Sequence, residues 1–134
     1  MSRVFFDTNV WLPAVLVPGF VRRIAEAAEQ QGTVFISREL VNEVVEKLAL
    51  KFRTSWETIR DAEALMRKIG FIFADAVTPY EGCPDPDDAV FIAQALAARC
   101  GYFVTNDKPL LKLESIGAMR FVTPAGYARV LGIL

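Results

Sequence analysis

The stretch Arg3-Val4-Phe5-Phe6-Asp7-Thr8-Asn9 decides how the rest of the chain is read. A short apolar run leads straight into three polar residues, the pattern of a buried strand that ends on a turn. Far down the chain Phe103-Val104 delivers Thr105-Asn106-Asp107 in the same way. In an open α/β sheet, ligands bind outside the carboxyl ends of the strands, so Asp7 and Asp107 stand where function concentrates. Glu43 and Asp88 are two further acidic positions that can join them. Four carboxylates at one sheet edge repel one another unless hard cations share the site, which points to Mg²⁺ or Mn²⁺.

Other apolar runs fall at residues 33 to 36, 71 to 74 and 119 to 122, completing a set with 3 to 6 and 102 to 105. Helical stretches lie between them. Pro18-Gly19 punctuates a short first helix, and Gly32 stops a second over residues 20 to 31. Ser37 is placed to cap a helix over about 38 to 50. Thr54 with Glu57 forms a capping box for a helix that Gly70 ends. Asp85-Pro86 starts a helix to about Arg99 with Gly101 just past its end, and Thr123-Pro124 opens the last. Alternating strands and helices, with strands apolar throughout, predict a parallel sheet covered on both faces.

The 134 residues, 53% of them hydrophobic, are the size of one ordinary domain, so 1–134 is expected to fold as a single unit. A formal net charge of -1 excludes the global basic character of an electrostatic nucleic-acid binder. Any such affinity must be local or supplied by metal. Cys83 and Cys100 have neither metal-ligand spacing nor the density of a disulfide scaffold, which fits a reducing cytoplasm. The three apolar residues between Arg3 and Asp7 do not make a signal-peptide core, and no run approaches the ~20 residues that span a bilayer. With no histidine, Ser-His-Asp, Cys-His and His-zinc chemistry are closed to the polypeptide alone, and carboxylates must carry any catalysis.

Each acid also has an ordinary explanation. Asp7 and Asp107 could be strand-to-turn aspartates bonded to their own backbone. At ~100° per helical residue, Leu40, Val41, Val44, Val45 and Leu48 make an apolar stripe, with Glu39 and Glu46 pointing away into solvent. Glu43 lies nearer the stripe's edge, where it could lean over the sheet end or simply neighbour Lys47 on the surface. Asp85, Asp87 and Asp88 suit a helix N-terminus, yet three acids exceed what a cap needs. The following helix is apolar nearly all round and therefore buried. Asp88 is favoured as the ligand, Asp85 as the cap and Asp87 as secondary.

Taken together, Asp7-Thr8-Asn9, the Ser37-Arg38-Glu39-Leu40-Val41-Asn42-Glu43 helix, Asp85-Pro86-Asp87-Asp88-Ala89 and Val104-Thr105-Asn106-Asp107 resemble the PIN-domain ribonucleases. The likeness runs through Val122-Thr123-Pro124, and the branch it is most similar to is the VapC-like toxins of toxin-antitoxin pairs. The resemblance implies a single-domain α/β/α sandwich with a five-stranded parallel sheet. It further implies an acidic quartet, here Asp7, Glu43, Asp88 and Asp107, that binds Mg²⁺ or Mn²⁺ and cuts RNA. Thr8, Asn9 and Thr105 match the polar shell, with Asn106 and Asp85 beside them. In the fourth motif Asn106 stands where related sequences often carry glycine or arginine.

Lys47, Lys51 and Arg53 on one side and Lys108 and Lys112 on the other could line an RNA path. A rival reading is a non-catalytic module that binds protein or RNA. Trp11, Phe52 and Trp56 would then serve a homodimer or antitoxin surface, or else belong to the core. An aspartate-based phosphatase or phospho-acceptor domain also puts an aspartate after a strand, but it is disfavoured, since Asn9 stands where the phosphatase pattern wants a second aspartate.

Overall fold

The computed structural model of the protein describes residues 2–73 and 78–134. Strands β1 (Ser2–Phe6), β2 (Gly32–Ile36), β3 (Gly70–Ile72), β4 (Tyr102–Val104), β5 (Ser115–Ile116) and β6 (Met119–Val122) form one six-stranded sheet in the order β3-β2-β1-β4-β6-β5. All pairings are parallel except β5 against β6. The expected five parallel strands are present, so the correction is the added β5. It is a two-residue strand folded back on β6 through a turn at Gly117, whose φ of +57° suits a residue without a side chain. The third expected strand is shorter than 71 to 74, and residue 74 lies outside the described residues.

The helices are α1 (Thr8–Leu16), α2 (Phe20–Gln31), α3 (Arg38–Leu50), α4 (Trp56–Ile69), α5 (Ala89–Ala97), α6 (Lys108–Lys112) and α7 (Pro124–Leu131). Ser37 and Thr123 cap α3 and α7 as expected, through bonds from the N–H groups of Leu40 and Gly126. The cap of α4 is Ser55 rather than Thr54. The Ser55 hydroxyl accepts from Thr58 N–H, whereas Thr54 donates its hydroxyl to the Leu48 carbonyl and closes the end of α3. The helix expected from Asp85 to Arg99 divides into a 3-10 turn at Pro86–Asp88 followed by α5. Arg99, not Gly101, takes the left-handed conformation past its end, with φ +57°. The short α6 follows Asp107 without an apolar period long enough to announce it.

Successive residues of a strand face opposite sides, and the aromatic rings show what covers each. On one face Phe5 stacks on Phe103 at 5.4 Å, Phe103 lies 5.4 Å from Phe121, and Phe91 of α5 lies 6.1 Å from Phe5. On the other, Phe6 meets Trp11 of α1 at 5.6 Å and Tyr127 of α7 at 6.0 Å, both edge-on. Trp11 is fully buried, so of the three aromatics offered for a partner surface it belongs to the core. Gly32 permits the close start of β1 and β2, since a Cβ there would run into the Ser2 carbonyl.

The order of strands positions the site. The chain steps outward from β1 to β2 to β3, then returns to the far side of β1 for β4. The direction reverses between β1 and β4, and a crevice opens at their carboxyl ends.

Candidate active site

Asp7 and Thr105 follow the last residues of β1 and β4 directly, on either side of that crevice. Asp7 N–H donates to the Val104 carbonyl at 2.9 Å, tying the two strand ends together. The Asp7 side chain is buried and oriented from both sides. Thr8 N–H donates to Oδ1 at 2.8 Å, and the Thr105 hydroxyl donates to Oδ2 at 2.8 Å. Asn9 reaches the same Oδ2 at 3.3 Å and accepts from Asn106 N–H at 3.1 Å. The Thr105 oxygen also accepts from Asp107 N–H at 3.0 Å, so one buried hydroxyl links the acids of both strands. Thr8 in turn donates its hydroxyl to the Glu43 carboxylate on α3.

Asp107 stands in extended conformation at the cap of α6, where an aspartate ordinarily accepts from the first free N–H groups, and Asp88 ends the 3-10 turn in helical conformation directly before α5. Neither makes that bond. Asp85 takes over the task at the 3-10 turn, accepting from Asp87 N–H at 3.0 Å, as its place before Pro86 suggested.

Asp7, Glu43, Asp88 and Asp107 line one cavity of about 470 Å³ together with Thr8, Asn9, Lys47, Asp85, Asp87 and Asn106. Every acid of the expected quartet is there. Thr105 lies behind Asp7 rather than on the wall, and of the basic residues considered for an RNA path only Lys47 reaches the cavity. Glu39 is exposed but not simply solvated, because it accepts from the buried Gln94 amide at 2.7 Å and so joins α3 to α5. A glutamine within an otherwise apolar helix was the available signal for that contact.

The electrostatics follow from this crowding. Burial pushes the Asp7 carboxyl above its ordinary value; bonds from Thr105 and Thr8 oppose the shift, while the Glu43 and Asp107 charges add to it. Asp88 is pushed up to about 7, first by burial and then by the charges of Asp7, Asp85, Asp107 and Glu43. Carboxylates that raise one another in this way are suited to sharing a cation. The wall offers carboxylate, amide and hydroxyl oxygens, a hard donor set that fits Mg²⁺ or Mn²⁺ rather than zinc. Among the described residues no three acidic or thiol side chains converge closely enough to hold an ion as placed. The fit is therefore one of donor chemistry and charge.

Comparison with curated proteins gives no match. Comparison with protein families matches the PIN domain over residues 3–109, a span that begins in β1 and ends just beyond Asp107. The chain belongs to the PIN domain family, a nuclease fold that generally uses divalent metal ions and acts on RNA.

Proposed function

We propose that this chain is a Mg²⁺- or Mn²⁺-dependent endoribonuclease, with residues 1–134 acting as one catalytic domain. The observation that carries the reading is that four carboxylates brought from distant parts of the chain line one cavity at the strand reversal, Asp107 among them leaving the end of α6 uncapped. Asp7 and Asp88 would hold the principal cation, with Glu43 and Asp107 holding a second ion or orienting its waters. Bound there, the ion would polarise the phosphate and acidify water, work for which a chain without histidine has no side chain. The residues around the quartet orient it. Thr105 and Thr8 N–H fix the Asp7 carboxylate, the Thr8 hydroxyl holds Glu43, and Asn9 spans Asp7 and the Asn106 backbone. Without a cation the cavity repels the RNA backbone, so substrate and metal binding are coupled.

The role proposed for this activity is that of the toxin in a cytoplasmic toxin-antitoxin pair, supported by the resemblance of the four motifs. Two free thiols, Cys83 and Cys100, suit a reducing compartment, and among the described residues no helix is long and apolar enough to cross a membrane. Leu50, Phe52 and Trp56 stand exposed around the turn from α3 to α4, with Trp56 67% exposed, and support a surface for an antitoxin or a second copy. That patch also favours the second reading, a PIN module that acts by binding alone.

Incubation with a mixed structured and single-stranded RNA pool in Mg²⁺, Mn²⁺ or EDTA separates the two. Cleavage that requires metal supports the ribonuclease. Intact RNA under every condition, with a protein partner bound through Trp56, would favour the binding module.

A further inference from the structure

Among the described residues, Lys47 is the one cation on a wall that otherwise carries six acids. It stands one helical turn after Glu43, the spacing and order in which a glutamate and a lysine attract each other best. They make no ion pair. The Glu43 carboxylate is engaged by the Thr8 hydroxyl, and among the described residues the only salt bridge joins Arg67 to Glu63. No side-chain hydrogen bond of Lys47 is formed among the described residues either. The residue is half-buried and lines the cavity.

We propose that Lys47 contacts the RNA, donating to a non-bridging oxygen of a phosphate that enters on the α3 side of the acidic centre. This rests on the ribonuclease reading above and adds a substrate-contacting residue to it. Lysine suits the task because its ammonium is a compact point charge with three donors that does not demand one bidentate geometry. Its position also assigns polarity to the cavity. The acids gather cations, and Lys47 beside Glu43 on α3 supplies a positive charge to a strand whose phosphates the acids alone would turn away.

The signs of two effects distinguish this role from a structural one. Lys47 repels a cation and attracts a phosphate, so Lys47→Met should weaken RNA handling while leaving Mn²⁺ affinity unchanged or tighter. A variant that merely disturbed α3 would weaken both. Methionine keeps the unbranched stem and a comparable helix propensity. The measurements are Mn²⁺ titration by calorimetry, and kcat and KM for single-stranded RNA in Mn²⁺ across a KCl series.

For Lys47→Met, KM should rise about tenfold, with kcat held within about twofold and the salt slope of kcat/KM shallower by about 0.7. Lys47→Arg, which keeps the charge, should recover most of the loss. Unchanged KM and salt slope in Lys47→Met, or a parallel loss of Mn²⁺ affinity, would overturn the inference while wild-type cleavage leaves the ribonuclease reading standing. A wild-type protein that cuts no RNA would overturn both.

Discussion

Removing one carboxylate from the quartet should make the metal-free protein more stable. Asp88 is the informative position, because its side chain makes no capping bond and its carboxyl is displaced from 3.8 to about 7. The displacement corresponds to roughly 4 kcal/mol against the ionised form before solvent is considered. Asp88 is only half-buried, and screening reduces this to about 2 kcal/mol. Loss of an anion at the N-terminus of α5 offsets up to about 1 kcal/mol. Asp88→Asn should therefore gain about 1 kcal/mol at pH 8 in EDTA, seen as a Tm higher by about 3 to 5 °C.

The pH dependence has a definite sign. The folded protein holds the Asp88 proton more tightly than the unfolded chain, so this group favours folding below about pH 4 and the benefit is lost as pH rises through about 7. The advantage of the variant should accordingly shrink towards pH 4. Thermal unfolding of both proteins at pH 4, 6 and 8 in EDTA measures it, choosing conditions of reversible unfolding. A variant less stable than wild type at pH 8, or a gain of equal size at pH 4, would mean that the Asp88 charge does not destabilise the metal-free fold.

Other substitutions probe separate parts of the structure. Asp7→Asn should abolish RNA cleavage with the circular dichroism spectrum unchanged, since an amide preserves much of the shape while removing the charge; retained cleavage would remove Asp7 from the centre. Thr105→Val takes a buried donor from Asp7 and an acceptor from Asp107 N–H, and should cost about 1 to 3 kcal/mol in urea unfolding. Losing that donor raises the Asp7 carboxyl further, so the acid limb of the pH–rate profile should move to higher pH. Trp11→Ala should cost about 3 to 5 kcal/mol, whereas Trp56→Ala should stay within about 0.5 kcal/mol. Acrylamide quenching of each single-tryptophan protein checks the same contrast, with Trp56 the accessible ring.

Most of the layout was legible because apolar strands and strong punctuators coincide. Val4-Phe5-Phe6 and Phe103-Val104 could be buried only within a covered parallel sheet, and the polar residues after each had to emerge at its carboxyl edge. What escaped reading depended on short-range competition. Thr54 and Ser55 are both good caps, and the choice fell to Ser55 because Thr54 had the Leu48 carbonyl within reach. Arg99 rather than Gly101 turns left-handed, since Gly101 N–H is engaged by the Arg3 carbonyl at the start of β4. The added β5 is too short to show an apolar period.

The four acids could be nominated from position and motif, but their common cavity is tertiary information. So are the missing capping bond of Asp107 and the hydrogen bond that Glu43 accepts from Thr8, a threonine far off in sequence. A spacing rule places Glu43 and Lys47 together on a helix face; only the fold shows that the glutamate is already engaged.

Asp7, Glu43, Asp88 and Asp107 are proposed to form one divalent-cation centre. Anomalous scattering from crystals grown with MnCl₂ tests it most directly. A manganese peak is expected within coordination distance of Asp7 and Asp88 and should be lost in crystals of Asp7→Asn. Manganese bound elsewhere with the cavity empty, or a peak that persists in the variant, would contradict it.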